Sequence, residues 1–497
     1  MVVNSKYPIP SITVNALYSQ VKPPIYQGNP LIEALPPSEA KLDIYDKLKV
    51  YPTYDTKQRK YETFERLDCV QTLFHVFQPW GIHVTIAEKF SRAIKEGYVS
   101  RNPLQSGYAS DLNKLYSAVK NKNGEFVNLN LTNANASGFS IIGYSGMGKT
   151  SAVDRVLSTY PQIITHSQYN NQSFPFLQIV WMKLVCPHDG SIKGLCSSFF
   201  SEFDRITGDN TYQKFALGRS ATVDSMIPQI SLIARRHALG ALIIDEIQHL
   251  KAASSGGAEK MLNFIVNFVN IIGIPVILIG TPKALDVING ELMQARRNSG
   301  QQGAVIMDSL KRGSNDWNML INGIWRYQWT RKMTPLTNEL SDTLFDESYG
   351  IVDVAVKLYA MSQIKAIDEQ GSEIITAKSI KTEAKSDDFA LYREIFSALR
   401  KGNSSAIAQF DDLVPLTADD ILSRYRADVS NKRLSNNKSY TQQSFDKNIR
   451  NTQLQEDIAI PKTNDVTKNV ANCEDNMKNS GEIHFDSNTI VKPEDDY

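Results

Sequence analysis

Gly143-Tyr144-Ser145-Gly146-Met147-Gly148-Lys149-Thr150 matches the pattern G-x-x-x-x-G-K-[ST] at every fixed position. The apolar run FSII (139–142) precedes it and the helix-compatible run SAVDRVLSTY (151–160) follows it, so the motif sits between a strand and a helix. Glycines in such a turn let successive backbone N–H groups curl around a chain of phosphates, and the helix that follows offers them its positive end. Lys149 is placed to neutralise the β and γ phosphates of ATP, and the Thr150 hydroxyl to take a position on Mg2+. Gly143, Ser145, Gly146, Met147, Gly148, Lys149, Thr150 and Ser151 are therefore the candidate nucleotide residues of this segment.

Downstream, ALIIDEIQHL (241–250) is a second buried strand, ending in two acids. With a phosphate cradle upstream, Asp245 is the candidate metal acid, joining Thr150 at the magnesium. Glu246 is the candidate general base or water-orienting residue. A third apolar run, Pro275 to Gly280, ends in Thr281, whose hydroxyl is a candidate contact for the γ phosphate or the attacking water. The segment ELMQARR (291–297) ends in Arg296 and Arg297, too far along the chain to fold back easily on their own site. An arginine supplied to a neighbouring copy would stabilise the charge of phosphoryl transfer and make activity depend on assembly.

Around these motifs the chain divides by composition. Residues 1–65 are rich in Pro and Tyr without a sustained period and read as an arm; its compact motif NPLIEALPP (29–37) fits a strap on the protein's own surface or a docking peptide. Residues 66–135 turn helical, with Ile86, Phe90 and Ile94 on one face, and read as an accessory region. Between 136 and 300, short apolar runs (FSIIG, IITH, QIVWMKLVC, ALIID, PVILIG) alternate with helical stretches. That alternation predicts an α/β fold with a parallel sheet covered by helices. Residues 301–427 read as a helical lid, and 428–497, dominated by Asn, Lys, Asp, Ser, Thr and Gln, as a disordered tail.

The 497 residues carry 54 basic and 53 acidic side chains, a formal net charge of +1 that gives no general pull toward nucleic acid or membrane. Any DNA contact has to come from a local patch. Cys69, Cys186, Cys196 and Cys473 lack the spacing of a zinc site or a disulfide framework, which points to a reducing cytoplasm. No run approaches the ~20 apolar residues of a membrane span.

The order of cradle, acid pair, polar strand end and paired arginines resembles an AAA+ ATPase. More narrowly, NPLIEALPP (29–37), GYVSRNP (97–103), TYPQ behind the cradle, HALGALIIDEIQHL (237–250) and MLNFIVNFVNIIGIPVILIGTPKA (261–284) resemble the TnsC family, the AAA+ regulators of Tn seven-like transposons. The likeness spans about residues 25–420. It implies a bacterial, cytoplasmic protein that uses ATP and Mg2+ to assemble as a ring or filament on double-stranded DNA. It would pass a signal from a TnsD- or TniQ-type target-selection protein to TnsA- and TnsB-type transposase subunits. Thr281 becomes the first sensor and Arg296 or Arg297 the trans arginine. Val354, in GIVDVAVKL (350–358), stands where many relatives have a second-sensor arginine, with Lys357 the substitute one turn later.

No helix-turn-helix, zinc finger or basic helix is present, so DNA recognition should be of the backbone. In related rings the loop after the second inner strand faces the pore; here Lys193 is the first candidate, with Thr211 and Lys214 after the helix. Two other readings share the cradle: a DNA-coating scaffold that uses ATP structurally, and an unrelated P-loop ATPase of repair or replication.

Overall fold

The computed structural model describes residues 12–121, 138–218, 221–252, 273–283, 303–369, 371–390, 392, 393 and 396. All belong to the first of two compact units, Met1–Ser423 and Arg424–Tyr497. The tail and the Arg296–Arg297 pair lie outside the described residues.

The strands are β1 (Thr13–Asn15), β2 (Phe139–Gly143), β3 (Ile163–Tyr169), β4 (Gln172–Ile179), β5 (Trp181–Val185), β6 (Ala241–Asp245), β7 (Val276–Gly280) and β8 (Ala304–Met307). Helices α1 (Pro30–Glu33), α2 (Lys41–Leu48), α3 (Thr63–Val70), α4 (Gly81–Val99) and α5 (Ser106–Asn121) precede β2. Helix α6 (Lys149–Leu157) follows it, and α7 (Ile192–Thr207), α8 (Thr211–Phe215) and α9 (Val223–Arg236) lie between β5 and β6. After β8 come α10 (Asn315–Trp325), α11 (Asn338–Ser348), α12 (Val352–Asp368) and α13 (Ala377–Glu383).

Five strands form a parallel sheet in the order β5-β6-β7-β2-β8. Strands β2, β6 and β7 are buried at every position, which explains their unbroken apolar sequences: helices cover both faces, so no residue is left to face water. Leu242, Ile244, Met182 and Leu184 join Phe199, Phe200 and Phe203 of α7 and Met226 and Ile230 of α9 in one apolar core. That core fixes the strand ends from which the candidate site projects.

Three features differ from the sequence reading. IITH is not an inner strand: β3 and β4 make an antiparallel hairpin, joined by β1 into a separate three-stranded sheet. Its turn is Asn170-Asn171, with φ of 49° and 63°, the left-handed pair that a two-residue hairpin turn requires and that asparagine tolerates. QIVWMKLVC accordingly divides at Val180 between β4 and β5. The third difference lies at the boundary set at 300, which falls short, because β8 pairs in parallel with β2 and completes the sheet. It is a four-residue edge strand with only alternate residues buried, so it lacks the apolar run that marks its neighbours.

NPLIEALPP packs on the protein's own body. Asn29 caps α1 through Leu31 N–H (3.1 Å) and donates to Tyr98 O (2.8 Å), while Leu31 and Ile32 are buried. GYVSRNP ties α4 to the start of β6: Arg101 donates to Leu239 O (2.6 Å) and Tyr98 to Ala238 O (2.8 Å). Gly97 lets α4 pass close to the residue before β7, since a Cβ there would lie 2.7 Å from Pro275 Cδ. The N-terminal segments also reach the C-terminal part of this unit: Tyr54 of the arm donates to Gln328 O (2.6 Å), and buried Arg66, at the start of α3's second turn, donates to both carboxylate oxygens of Glu373 (2.5 and 3.0 Å).

Candidate active site

Strand β2 delivers the chain to the glycine-rich turn. A Cβ on Gly143 would lie 2.2 Å from Met307 O, so the close packing of β8 requires glycine there. Gly146 and Gly148 follow at φ of 81° and 80°, left-handed conformations open to glycine at little cost. Met147 is buried and anchors the turn. Lys149 opens α6 and curls back so that Nζ donates to the carbonyls of Gly143 (2.8 Å) and Tyr144 (2.9 Å). The N-terminus of α12 closes on the same turn, with Asp353 N–H donating to Gly146 O (3.0 Å).

The two motifs meet directly: Thr150 Oγ1 donates to Asp245 Oδ2 at 3.0 Å. A hydroxyl and a carboxylate in contact at the mouth of a phosphate cradle are hard oxygen donors of the kind Mg2+ takes, so the residues fit that ion. The other oxygen, Asp245 Oδ1, accepts Glu246 N–H (2.9 Å), and Glu246 itself lies at φ 58°. Behind the pair stands a residue that the sequence reading passed over. Lys183 Nζ, on β5, lies 2.6 Å from Asp154 of α6 and 3.3 Å from Asp245 Oδ2. Burial alone would depress this ammonium, but the two carboxylates outweigh it and raise its pKa, so it stays charged.

Gln248 joins the acid to the next strand. Thr281 N–H donates to its Oε1 (3.2 Å), and its Nε2 donates to Glu246 Oε2. Thr281 Oγ1 is buried and finds no hydrogen-bond partner among the described residues. His188 and His249 meet edge-to-face, with ring centroids 4.3 Å apart, beside the same acids.

The glycine-rich turn, Glu246, Gln248, Thr281 and the two histidines line a cavity of about 520 Å³. Residues 145–151, Glu246, Gln248 and Thr281 form its polar end; Leu73, Phe77 and Trp80 with Leu320, Ile324 and Val356 are among its apolar walls. That size and division suit a nucleotide, with phosphates at one end and a flat base at the other. The apolar end was missed in sequence because it is assembled from 73–83, α10 and α12, three distant segments. His83 also lines it; its ring is buried and its Nδ1 accepts Trp80 N–H (3.1 Å), which leaves the proton on Nε2. Burial pushes its pKa down to about 3, so the ring is neutral at physiological pH.

Neither second-sensor candidate is among the residues that line the cavity. From α12 the cavity is lined by Val352, Asp353 and Val356, whereas Val354 is buried and Lys357 is paired with Asp353 (2.5 Å). Of the DNA candidates, Lys193 and Lys214 are exposed. Thr211 is withdrawn: it is buried, and Asp204 accepts from its hydroxyl (2.6 Å) and its N–H (2.7 Å) to hold the start of α8.

Residues 133–288 match the AAA_22 family, described as an AAA domain. The chain contains an AAA-type P-loop ATPase domain. No curated protein matches the chain. Similar solved structures include the Aeropyrum pernix ORC2 protein in its ADPNP–ADP complexes, 12% identical over 64% of this chain and 84% of that one, with a TM-score of 0.34. The Walker-type ATPase of Pyrococcus abyssi is 14% identical over 60% and 76%, with a TM-score of 0.34. Cdc6p from Pyrobaculum aerophilum is 10% identical over 62% and 79%, with a TM-score of 0.35. Among the described residues, no helix is long and apolar enough to cross a membrane.

Proposed function

We propose that this protein is an ATP-hydrolysing regulator of DNA transposition of the TnsC type, which assembles on duplex DNA in its ATP-bound state. The observation that carries the ATPase part is the contact of Thr150 with Asp245, beside Glu246 and Thr281 on one cavity. The backbone of the glycine-rich turn and Lys149 hold the phosphates, and Thr150 and Asp245 hold Mg2+. Bound there, the ion would supply positive charge against the negative charge of the phosphates. Glu246 accepts a proton from the water that attacks the γ phosphorus, ADP departs with the bridging oxygen, and the Thr281 hydroxyl orients water or γ phosphate.

Arg296 or Arg297, from a neighbouring copy, would complete the site and make turnover report assembly. The resemblance carried by 29–37, 97–103, 237–250 and 261–284 supports the DNA role and the transposase and target-selection partners. Exposed Lys193 and Lys214 are the backbone contacts we assign to DNA.

Fluorescence anisotropy of the full chain on two unrelated duplexes, with and without a non-hydrolysable ATP analogue, tests this. Binding should need the analogue, differ by no more than about threefold between duplexes, and weaken by roughly 10³-fold or more between 50 and 200 mM salt. Nucleotide-independent or sequence-specific binding would contradict it.

A further inference from the structure

Gln248 lies in the turn that follows Glu246, is 7% exposed, and commits both ends of its amide. A backbone N–H can only donate, so the atom facing Thr281 N–H is Oε1, and the atom facing Glu246 is the donating Nε2. One side chain thus spans the candidate base and the end of β7. Its hydrogen bond engages Glu246 Oε2 and leaves Oε1 as the oxygen for a water. Glu246 holds a left-handed backbone, φ 58°, which a side chain of its size keeps only when its surroundings fix it. Asp245 Oδ1 fixes its N–H, and Gln248 fixes its carboxylate.

On the reading of Glu246 as the water-activating acid, we propose that Gln248 is a positioning residue for hydrolysis. It locks the Glu246 carboxylate to the end of β7, so that this acid and the Thr281 hydroxyl face the cavity in one fixed relation. In this role it acts through Glu246.

Three variants of the full chain test it by equilibrium binding of a fluorescent ATP analogue, by kcat and KM, and by thermal midpoint. Gln248→Met removes both hydrogen bonds at similar length. Gln248→Glu keeps the acceptor for Thr281 N–H but sets a carboxylate against Glu246. The double variant Gln248→Glu/Glu246→Gln re-forms the amide-to-carboxylate pair with the roles exchanged. Analogue affinity and KM should stay within about threefold in Gln248→Met, because misplacing a catalytic group acts on the chemical step. Turnover should fall about tenfold in Gln248→Met and about 100-fold in Gln248→Glu. The exchanged pair should regain the wild-type thermal midpoint, which shows that the hydrogen-bonded pair re-forms; its inactivity follows from the loss of Glu246 itself, so the positioning role is read from the fall in kcat at unchanged KM and thermal midpoint in Gln248→Met.

A Gln248→Met protein with wild-type kcat, or one changed only in KM, overturns the proposal; should it fail to fold, the isosteric Gln248→Glu carries the same test. The single variant Glu246→Gln separates the two readings. If it hydrolyses ATP normally, Glu246 is not the base; if it is inactive while Gln248→Met is normal, only the positioning role is lost.

Discussion

Replacing Glu246 by Gln should leave ATP binding within about threefold of wild type while cutting hydrolysis by at least about 100-fold. The substitution preserves shape: an amide oxygen can still accept from Gln248 Nε2, and the Glu246 N–H to Asp245 contact belongs to the backbone. What is lost is the carboxylate oxygen that would take the proton of the attacking water. Cradle and metal pair are untouched, so the loss should appear in kcat and not in affinity. Single-turnover phosphate release beside analogue binding measures both; normal release would remove Glu246 from its role. On the proposed reading, complexes with DNA should also persist in this variant, because nothing resets them.

The second large effect is on stability. Lys183→Met should destabilise the fold by about 3 kcal/mol, since it strands Asp154, which is 5% exposed, without its counter-ion. Burial already raises the Asp154 pKa, so protonation caps the loss. Adding Asp154→Leu to Lys183→Met should recover at least about half of it, because replacing a buried ion pair with apolar groups is often close to neutral. Urea denaturation of the two single variants and the double one gives the coupling. Additive losses would mean that the ion pair does not hold α6 to β5.

The polar half of the site was legible because its signals are local: glycines at fixed spacing, then two acids closing an apolar strand. Asp245 and Thr150 meet because β6 and β2 belong to one parallel sheet, and the strand pattern predicted that sheet. The apolar half was not legible. Trp80, Leu320 and Val356 carry no chemistry of their own and converge only through tertiary packing. Lys183 was passed over inside an apolar run, since one lysine among Trp181, Met182 and Leu184 does not announce two buried partners. Thr211 misled in the opposite direction. A threonine at a helix start reads as exposed, yet Asp204, seven positions earlier on α7, draws it inward to hold α8. Gln248 escaped notice because an amide shows its role only through what it spans.

The central claim, that Gly143–Thr150 holds a nucleotide's phosphates, is tested most directly by titrating the purified full chain with a non-hydrolysable ATP analogue and Mg2+, alongside Lys149→Ala. Wild type should saturate, and the variant should bind at least about tenfold more weakly, the loss expected when a charged hydrogen-bond donor to phosphate is removed. Equal affinity in the two proteins, or no binding by wild type, would contradict the account.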